Sequence, residues 1–534
     1  MVEPKRSKWP LFLLLLGLAV IAGLAAWYLA VCMDFAPWGF SDSATYFSSA
    51  HNLAGGIGLG TVNAEGTFTP LQIFAPLFPV LLSPFAKLGA DLIITSKILD
   101  ILLFVLLLIG CGWLFYLLSD SALAAFFFAL LIATTPALAT DYSSMMSEPL
   151  AITLGMPAFL LLLLAIKQNS LKLLLLAAVL AGLAFAARYA FVAVPISGIL
   201  ALLFLSQGSG LDKFKRVLLY AAISILPMLV WMSTAASVGS RHYSLAFSLK
   251  EKISTFVTQL ASVLKYWLPY RTDMIPHVKA FLFDPILLLF LLALVALGLL
   301  FSLGQKTKTP GQRSQVNLLL GSLILLVVYI GFLLLTYLIS AETISLDDRM
   351  LSPIVPLLYA ALLISALIVG QKIPGRVSSL ILGVLINLFF VVFNYLPLQT
   401  YLINVSTYPD GYASPAWKNR PIFGQAALIP HDRPILSNGP DLLLFYTNRS
   451  AFYLTRATGD LGSTTVSVTD PEQLKKLIEE DCGVLVLFDT GVDSYEHRLD
   501  PISQLDINAL AGRLTPSYSG TEGQILIDPK CSNP

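Results

Sequence analysis

The sequence predicts a polytopic α-helical membrane protein of about eleven transmembrane helices with a small extracytoplasmic α/β domain at its C-terminal end. Three observations predict it. Of 534 residues, 56% are hydrophobic and only 12% are charged, against roughly 25% charged in soluble domains, and mean hydropathy is +0.78. Apolar runs of about 20 residues, the length that crosses a hydrocarbon core as a helix, recur as far as residue 397. Beyond that point short apolar runs alternate with helical patterns, the order of a small α/β unit. Residues 1–397 are therefore the transmembrane module and 398–534 the soluble domain. A net charge of +1 argues against nucleic acid and makes any anion site a local one.

The eleven candidate spans lie near 10–31, 93–118, 121–139, 149–166, 171–187, 189–206, 217–234, 281–303, 316–340, 351–370 and 377–397. The first is longer than a signal-peptide core and lacks an A-x-A-like site after it, so it reads as a retained anchor. The stretch from Thr69 to Leu88 is apolar but broken by Pro70, Pro76, Pro79 and Pro84. It suits a segment that rests in the interface or dips in against protein.

Orientation follows from Lys and Arg in the short loops. Thirteen fall on one side: Lys5, Arg6, Lys8, Lys167, Lys172, Lys213, Lys215, Arg216, Lys306, Lys308, Arg313, Lys372 and Arg376. The short loops of the other side hold little beyond Arg188 and Arg349. The N-terminus is expected to be cytoplasmic, and eleven crossings put 398–534 outside.

Three outer loops carry the informative residues. In the first, Asp42 stands about ten residues past the first span, at a membrane–water boundary. The residues after it form a helical pattern with Tyr46, Phe47, Ala50, Leu53 and Ala54 on one face, suited to lying on the membrane. The glycine run Gly55–Gly60 reads as a flexible turn. In the second loop, Asp141 and Glu148 face outward. Pro149 fits the first turn of the next helix, and Glu148 is favoured at that helix's positive end, as a cap or as part of a cavity shared with Asp42. In the third, Arg349 enters a span and needs a partner. Asp347 or Asp348 can supply one; a lipid phosphate, gripped by two parallel hydrogen bonds, is the sharper alternative. Arg188 poses the same question. The longer loop 235–280 holds Arg241, His242, Lys250, Lys252, Lys265, Tyr266, Trp267, Tyr270, Arg271, His277 and Lys279, a mixture suited to lipid head groups or plain interfacial anchoring. Asp100, inside the second span, is expected to make a helix–helix hydrogen bond.

In the soluble part, 434–437, 451–454, 483–488 and 524–527 read as strands. Residues 440–448, 471–480 and about 503–513 read as helices, the second capped by Asp470. Four cysteines are too few for a disulfide scaffold. Cys482 and Cys531 either bridge in an oxidising compartment or remain thiols.

Several stretches together resemble one family: Ser41-Asp42-Ser43-Ala44-Thr45-Tyr46, Pro76-Leu77-Phe78-Pro79, Ser147-Glu148-Pro149-Leu150, 182–189 ending in Arg188-Tyr189, Asp348-Arg349-Met350-Leu351-Ser352-Pro353 and Ser437-Asn438-Gly439-Pro440. Their order and placement resemble the membrane-integral glycosyltransferases of the GT-C superfamily, in particular the dolichyl-phosphate-mannose–protein mannosyltransferase group and the bacterial lipid A aminoarabinose transferase. The resemblance implies transfer of a sugar from a polyprenyl-phosphate-linked donor to a glycan, lipid or protein acceptor at the outer face, with inversion, in a bacterial cytoplasmic (inner) membrane. It implies that Asp42 is the catalytic carboxylate. Tyr46, Asp141, Glu148, Arg188 and Arg349 are the candidate substrate-binding residues. Many relatives carry two adjacent acids where this chain has Asp42-Ser43, which leaves Asp141 or Glu148 to supply the second. No cofactor is predicted. A divalent metal is left open, since Asp42, Asp141, Glu148 and His51 are too few to specify one. Competing readings are a polysaccharide polymerase or ligase, a lipid-linked-sugar flippase or transporter, and a receptor. No internal repeat of the kind transporters carry is visible.

Overall fold

The computed structural model describes residues 9–71, 73–235, 249–267, 280–303, 309–339, 346–372, 378–407, 411–454, 467–468, 471–489 and 514–531. The chain opens with α1 (Trp9–Cys32) and α2 (Ser41–Ala54), then a hairpin of β1 (Gly60–Val62) and β2 (Phe68–Pro70), then α3 (Leu77–Lys87). A helical body follows: α4 (Leu92–Ser119), α5 (Ala122–Ala133), α6 (Pro136–Asp141), α7 (Glu148–Gln168), α8 (Leu171–Ala187), α9 (Ala193–Leu205) and α10 (Gly210–Ala235). It continues with α11 (Leu249–Trp267), α12 (Ala280–Leu303), α13 (Pro310–Ile339), α14 (Asp348–Leu351), α15 (Val355–Gly370) and α16 (Ser378–Thr407).

Among the described residues, seven helices are long and apolar enough to cross a membrane: α1, α4, α7, α10, α13, the run Asp348–Gly370 and α16. Of the other four predicted spans, 121–139, 171–187 and 189–206 coincide with shorter apolar helices and 281–303 with α12. The predicted span 121–139 is broken in two. Thr135 is extended and Pro136 opens a new helix, so α5 has 12 residues, about 18 Å of helix. The last span, placed at 377–397, belongs to a helix that runs on to Thr407.

Lipid-facing and protein-facing helices separate by burial. Helix α1 leaves Phe12, Leu16, Val20, Leu24 and Trp27 exposed, and α16 does so with Leu385, Leu388 and Val392. Contiguous apolar surface of this extent belongs against lipid. Helices α7 and α15 are buried along most of their length and form the centre of the bundle. Local chemistry sets the ends. Asp91 accepts from the N–H of Ile93 and Ile94 at the start of α4, Ser121 caps α5, Ser170 caps α8 and Asp347 caps α14, each satisfying orphan amides. Thr153 Oγ1 donates to the Leu103 carbonyl and Lys167 Nζ to the Leu117 carbonyl. Both pairs are 50 residues apart, so α4 and α7 run parallel in one fixed register.

The predicted amphipathic helix after Asp42 is α2, but its apolar face is not turned to the membrane. Tyr46 packs on Phe74 and Phe78, and Phe47 stacks on Phe445; protein covers Tyr46, Phe47 and Ala50, while Leu53 and Ala54 are half-buried. The Pro-rich stretch forms the short α3, whose Phe78 and Leu82 are buried.

The C-terminal residues form α17 (Pro421–Ala427), β3 (Ile435–Ser437), α18 (Pro440–Thr447), β4 (Phe452–Leu454), β5 (Ser467–Val468), α19 (Pro471–Glu479), β6 (Val484–Phe488), β7 (Thr515–Gly520) and β8 (Gly523–Ile527). They make a six-stranded sheet in the order β5-β4-β3-β6-β8-β7. The four strands from β5 to β6 are parallel, and β8 and β7 are antiparallel additions. The Asn438 side chain bonds both the N–H and the C=O of Phe488 and holds β3 level with β6. Cys482 and Cys531 are joined in a disulfide. The predicted helix 503–513 lies outside the described residues.

Candidate active site

Three chain regions are joined by backbone bonds at one end of the bundle, and a side chain ties a fourth to them. Trp38 N–H donates to the Ser143 carbonyl and Met145 N–H to that of Trp38. Tyr412 N–H donates to the Gly39 carbonyl. Gly411 supports this last contact with φ +89°, and a Cβ there would lie 2.6 Å from the Gly39 oxygen. The segment before α2, the turn between α6 and α7 and the approach to the sheet are thus held together, and the Ser352 hydroxyl, donating to Asp141, ties in the end of α14.

Charged side chains from the first turn of α2, the starts of α7 and α14 and, with Arg188, the end of α8 form a connected row. Arg188 Nη1 lies 2.8 Å from Glu148 Oε2. Arg349 Nε lies 3.3 Å from Glu148 Oε1, and its Nη1 lies 3.7 Å from Asp42 Oδ2. Asp347 flanks Arg349 at 3.7 Å, and the guanidinium sits 5.0 Å from the Phe40 ring centroid, a cation–π contact. Five of the six predicted site residues belong to this cluster: Asp42, Glu148, Arg188 and Arg349 directly, and Tyr46 through Ser147. The Ser147 hydroxyl lies 3.0 Å from that of Tyr46 and accepts from Arg188 Nη1 at 3.4 Å. The sixth, Asp141, is buried beside the row and accepts a short hydrogen bond from the Ser352 hydroxyl.

Burial divides the roles. The Glu148 side chain is 1% exposed, while Asp42, Arg188 and Arg349 keep 20–25%. Glu148 is enclosed between two guanidiniums that hold its charge, whereas the other three have a reachable edge. Glu148 Oε1 and Oε2 and Arg349 Nε and Nη1 lack well-aligned hydrogen-bond partners among the described residues. These atoms are held by ion pairs rather than by well-aligned hydrogen bonds. Burial raises the Asp42 carboxyl above its ordinary range; Arg349 counteracts this and Glu148 adds to it. Burial and then Glu148 raise Asp141 well above the carboxylate range. A carboxylate of raised proton affinity beside two guanidiniums can take a proton and steady an anion in one place.

Two expectations change. Asp100 makes no helix–helix hydrogen bond: neither carboxyl oxygen has a partner among the described residues. The α4–α7 register sets it level with Leu150, and the nearby Tyr142 hydroxyl is already engaged by Thr153 and the Pro149 carbonyl. His51 is exposed in the last turn of α2, about 13 Å along the helix from Asp42. Among the described residues no group of three or more His, Cys, Asp or Glu is arranged to hold a metal ion. Of the loop 235–280 only α11 is described, and Arg241, His242, Arg271, His277 and Lys279 lie outside it. Sequence reasoning missed Ser147, Phe40 and Asp441, the last on α18, whose carboxyl is pushed up to about 6 by burial and by Asp42.

No known family profile matches the chain, and no curated protein does. Solved structures do. ArnT from Cupriavidus metallidurans, bound to undecaprenyl phosphate, is similar with a TM-score of 0.57 at 12% identity, over 97% of this chain and 99% of that one. The arabinofuranosyltransferase AftD from mycobacteria is similar with a TM-score of 0.50 at 15% identity, over 96% of this chain and 41% of that one. This chain spans about two-fifths of the length of AftD. At these identities the likeness concerns the fold: the chain has that of the GT-C glycosyltransferases and is an integral membrane protein.

Proposed function

We propose that the protein transfers a sugar from a polyprenyl-phosphate-linked donor to a glycan, lipid or protein acceptor, with inversion. The observation that carries this reading is the reachable edge of Asp42, Arg349 and Arg188 around the enclosed Glu148. ArnT, similar over nearly its whole length, binds undecaprenyl phosphate, which supports a lipid phosphate as the anion.

Asp42 takes the proton from the acceptor's hydroxyl or amine as that oxygen or nitrogen bonds to the anomeric carbon. The bond from that carbon to the phosphate oxygen breaks, and its electron pair leaves with the phosphate. The departing polyprenyl phosphate is already a stable anion, so no general acid is needed. Arg349 and Arg188 steady the charge that grows on it. Glu148 holds the two guanidiniums at their spacing, and Tyr46 with Ser147 fixes Arg188. Asp141, whose proton affinity burial raises, stands buried beside the row and is held by Ser352.

The charge asymmetry of the loops supports a cytoplasmic N-terminus, eleven crossings, and a site and soluble domain (398–534) on the outer face of a bacterial inner membrane. The disulfide, at home in an oxidising compartment, agrees with that side. The test is release of polyprenyl phosphate from polyprenyl-phosphate sugars by the purified protein. Release by the wild type and its loss in folded Asp42→Asn support the reading. Equal release by both removes Asp42 from the mechanism, and no release from any donor by the folded wild type refutes the transfer reading.

A further inference from the structure

The residues that lead into α2 build an aromatic shelf against Arg349, and their backbone is fastened at each step. Trp38 N–H donates to the Ser143 carbonyl, and the Trp38 carbonyl accepts from Met145 N–H. The Gly39 carbonyl accepts from Tyr412 N–H at 2.8 Å. Phe40 N–H donates to the Ser43 hydroxyl at 3.3 Å, and that hydroxyl donates to the Met145 carbonyl at 2.9 Å. The Phe40 carbonyl accepts from Ala44 N–H in the first turn of α2. The rings follow the backbone. Trp38 lies against Phe40 with centroids 5.0 Å apart and planes at 53°. Gly411, on the approach to the C-terminal sheet unit, closes on the indole so tightly that a Cβ there would lie 2.7 Å from Trp38 Cδ1.

The guanidinium carbon of Arg349 stands over this shelf, 5.0 Å from the Phe40 centroid. Three acids surround it: Glu148 at 3.3 Å and Asp347 at 3.7 Å from Nε, and Asp42 at 3.7 Å from Nη1. Each separation exceeds the roughly 2.7–2.9 Å of a charge-assisted hydrogen bond, so none of the acids grips the guanidinium in a two-pronged pair. A long side chain among three acids is free to fold onto any one of them. A ring against its flat face restricts that motion, and the attraction of the ring quadrupole holds the cation without occupying its N–H groups. Nε and Nη1 are buried while the side chain keeps 25% exposure, which leaves Nη2 as the nitrogen at the reachable edge. We propose that Phe40 is a positioning residue for donor binding: its ring holds Arg349 between Asp42 and Glu148 with Nη2 turned to the phosphate of the lipid-linked donor. This rests on the reading of Arg349 as a phosphate-binding cation. Tyr412 and Gly411, fastened on Gly39 and Trp38, make the approach to the sheet unit part of what holds the shelf.

The test is binding of undecaprenyl phosphate to the full-length protein in detergent, with fluorinated phenylalanines placed at position 40. Each added fluorine weakens the negative face of the ring and nearly keeps its shape. The dissociation constant should rise stepwise from phenylalanine to trifluorophenylalanine, by about 3–30-fold in all. Phe40→Leu should weaken binding by a similar factor, and Phe40→Tyr should retain it. In the already weakened Arg349→Gln protein, Phe40→Leu should add nothing, because the two side chains act as one unit. A flat fluorine series overturns the proposal. So does wild-type binding in folded Phe40→Leu, or a Phe40→Leu loss that persists undiminished beside Arg349→Gln. Should Phe40→Leu not fold, the fluorine series decides by itself. Wild-type binding in folded Arg349→Gln is a separate result: it refutes the phosphate reading, and this role of Phe40 with it.

Discussion

The two ends of α7 carry charge in opposite ways. At one end Lys167 pairs with Asp120 at 3.1 Å and donates to the Leu117 carbonyl. Ser314 and Gln315 there take the carbonyls of Leu118 and Ser119. Each of these polar groups serves to finish a helix end. At the other end, about 29 Å away along the helix, Glu148 is enclosed between Arg188 and Arg349, and several of their atoms lack aligned partners. One end is saturated with aligned hydrogen bonds, and the other is held by ion pairs without them and keeps a reachable edge. The difference separates charge that closes helix ends from charge placed as the proposed phosphate site requires.

The largest effect should fall on catalysis at the unsaturated end. Asp42→Asn should lower kcat by about 10²–10⁴-fold with the melting temperature preserved, measured on purified protein. Next comes the enclosed acid. Glu148→Ala leaves two guanidiniums facing each other without their shared anion and should cost about 3–5 kcal/mol of stability. The same truncation at the saturated end, Asp120→Ala, should cost about 0–1 kcal/mol, because the Asp120 carboxylate is 41% exposed and water can take its place beside Lys167. Equal costs in thermal unfolding would erase the distinction between the ends. Gly411→Ala should loosen the sheet unit by about 1–3 kcal/mol, through strain at positive φ and the Gly39 carbonyl, seen as faster proteolysis between α16 and β3.

The smallest effect is a pH dependence. The Asp441 carboxyl is raised from 3.8 to about 6 in the fold, so the folded state holds its proton more tightly than the unfolded chain. The resulting stabilisation is full below the unfolded value and is lost as pH rises through about 6. Asp441→Asn should therefore raise the melting temperature more at neutral pH than below the unfolded value. A gain of equal size at both would show that Asp441 does not titrate in this range.

Much of the site was legible because ionisable residues at span ends are conspicuous in so apolar a chain. Asp42, Glu148, Arg188 and Arg349 stood out for this reason. Their mutual contacts did not, since they come from four separated segments. The periodicity of α2 showed an apolar face but not what covers it, and α18 took the place expected for lipid. Asp441 looked like an ordinary first-turn acid in a soluble helix. The edge strand β7, Thr515–Gly520, is largely exposed and lacked the apolar run by which the inner strands were recognised. Asp100 was assigned a partner by the general rule for buried acids, and the α4–α7 register set it beside groups already engaged.

The most direct test of the contrast is binding of undecaprenyl phosphate to the purified protein, comparing wild type with Arg349→Gln and Lys167→Gln. The account predicts saturable binding, weakened about 10–100-fold by Arg349→Gln and unchanged by Lys167→Gln. Equal weakening by both substitutions, or wild-type binding in folded Arg349→Gln, would contradict it.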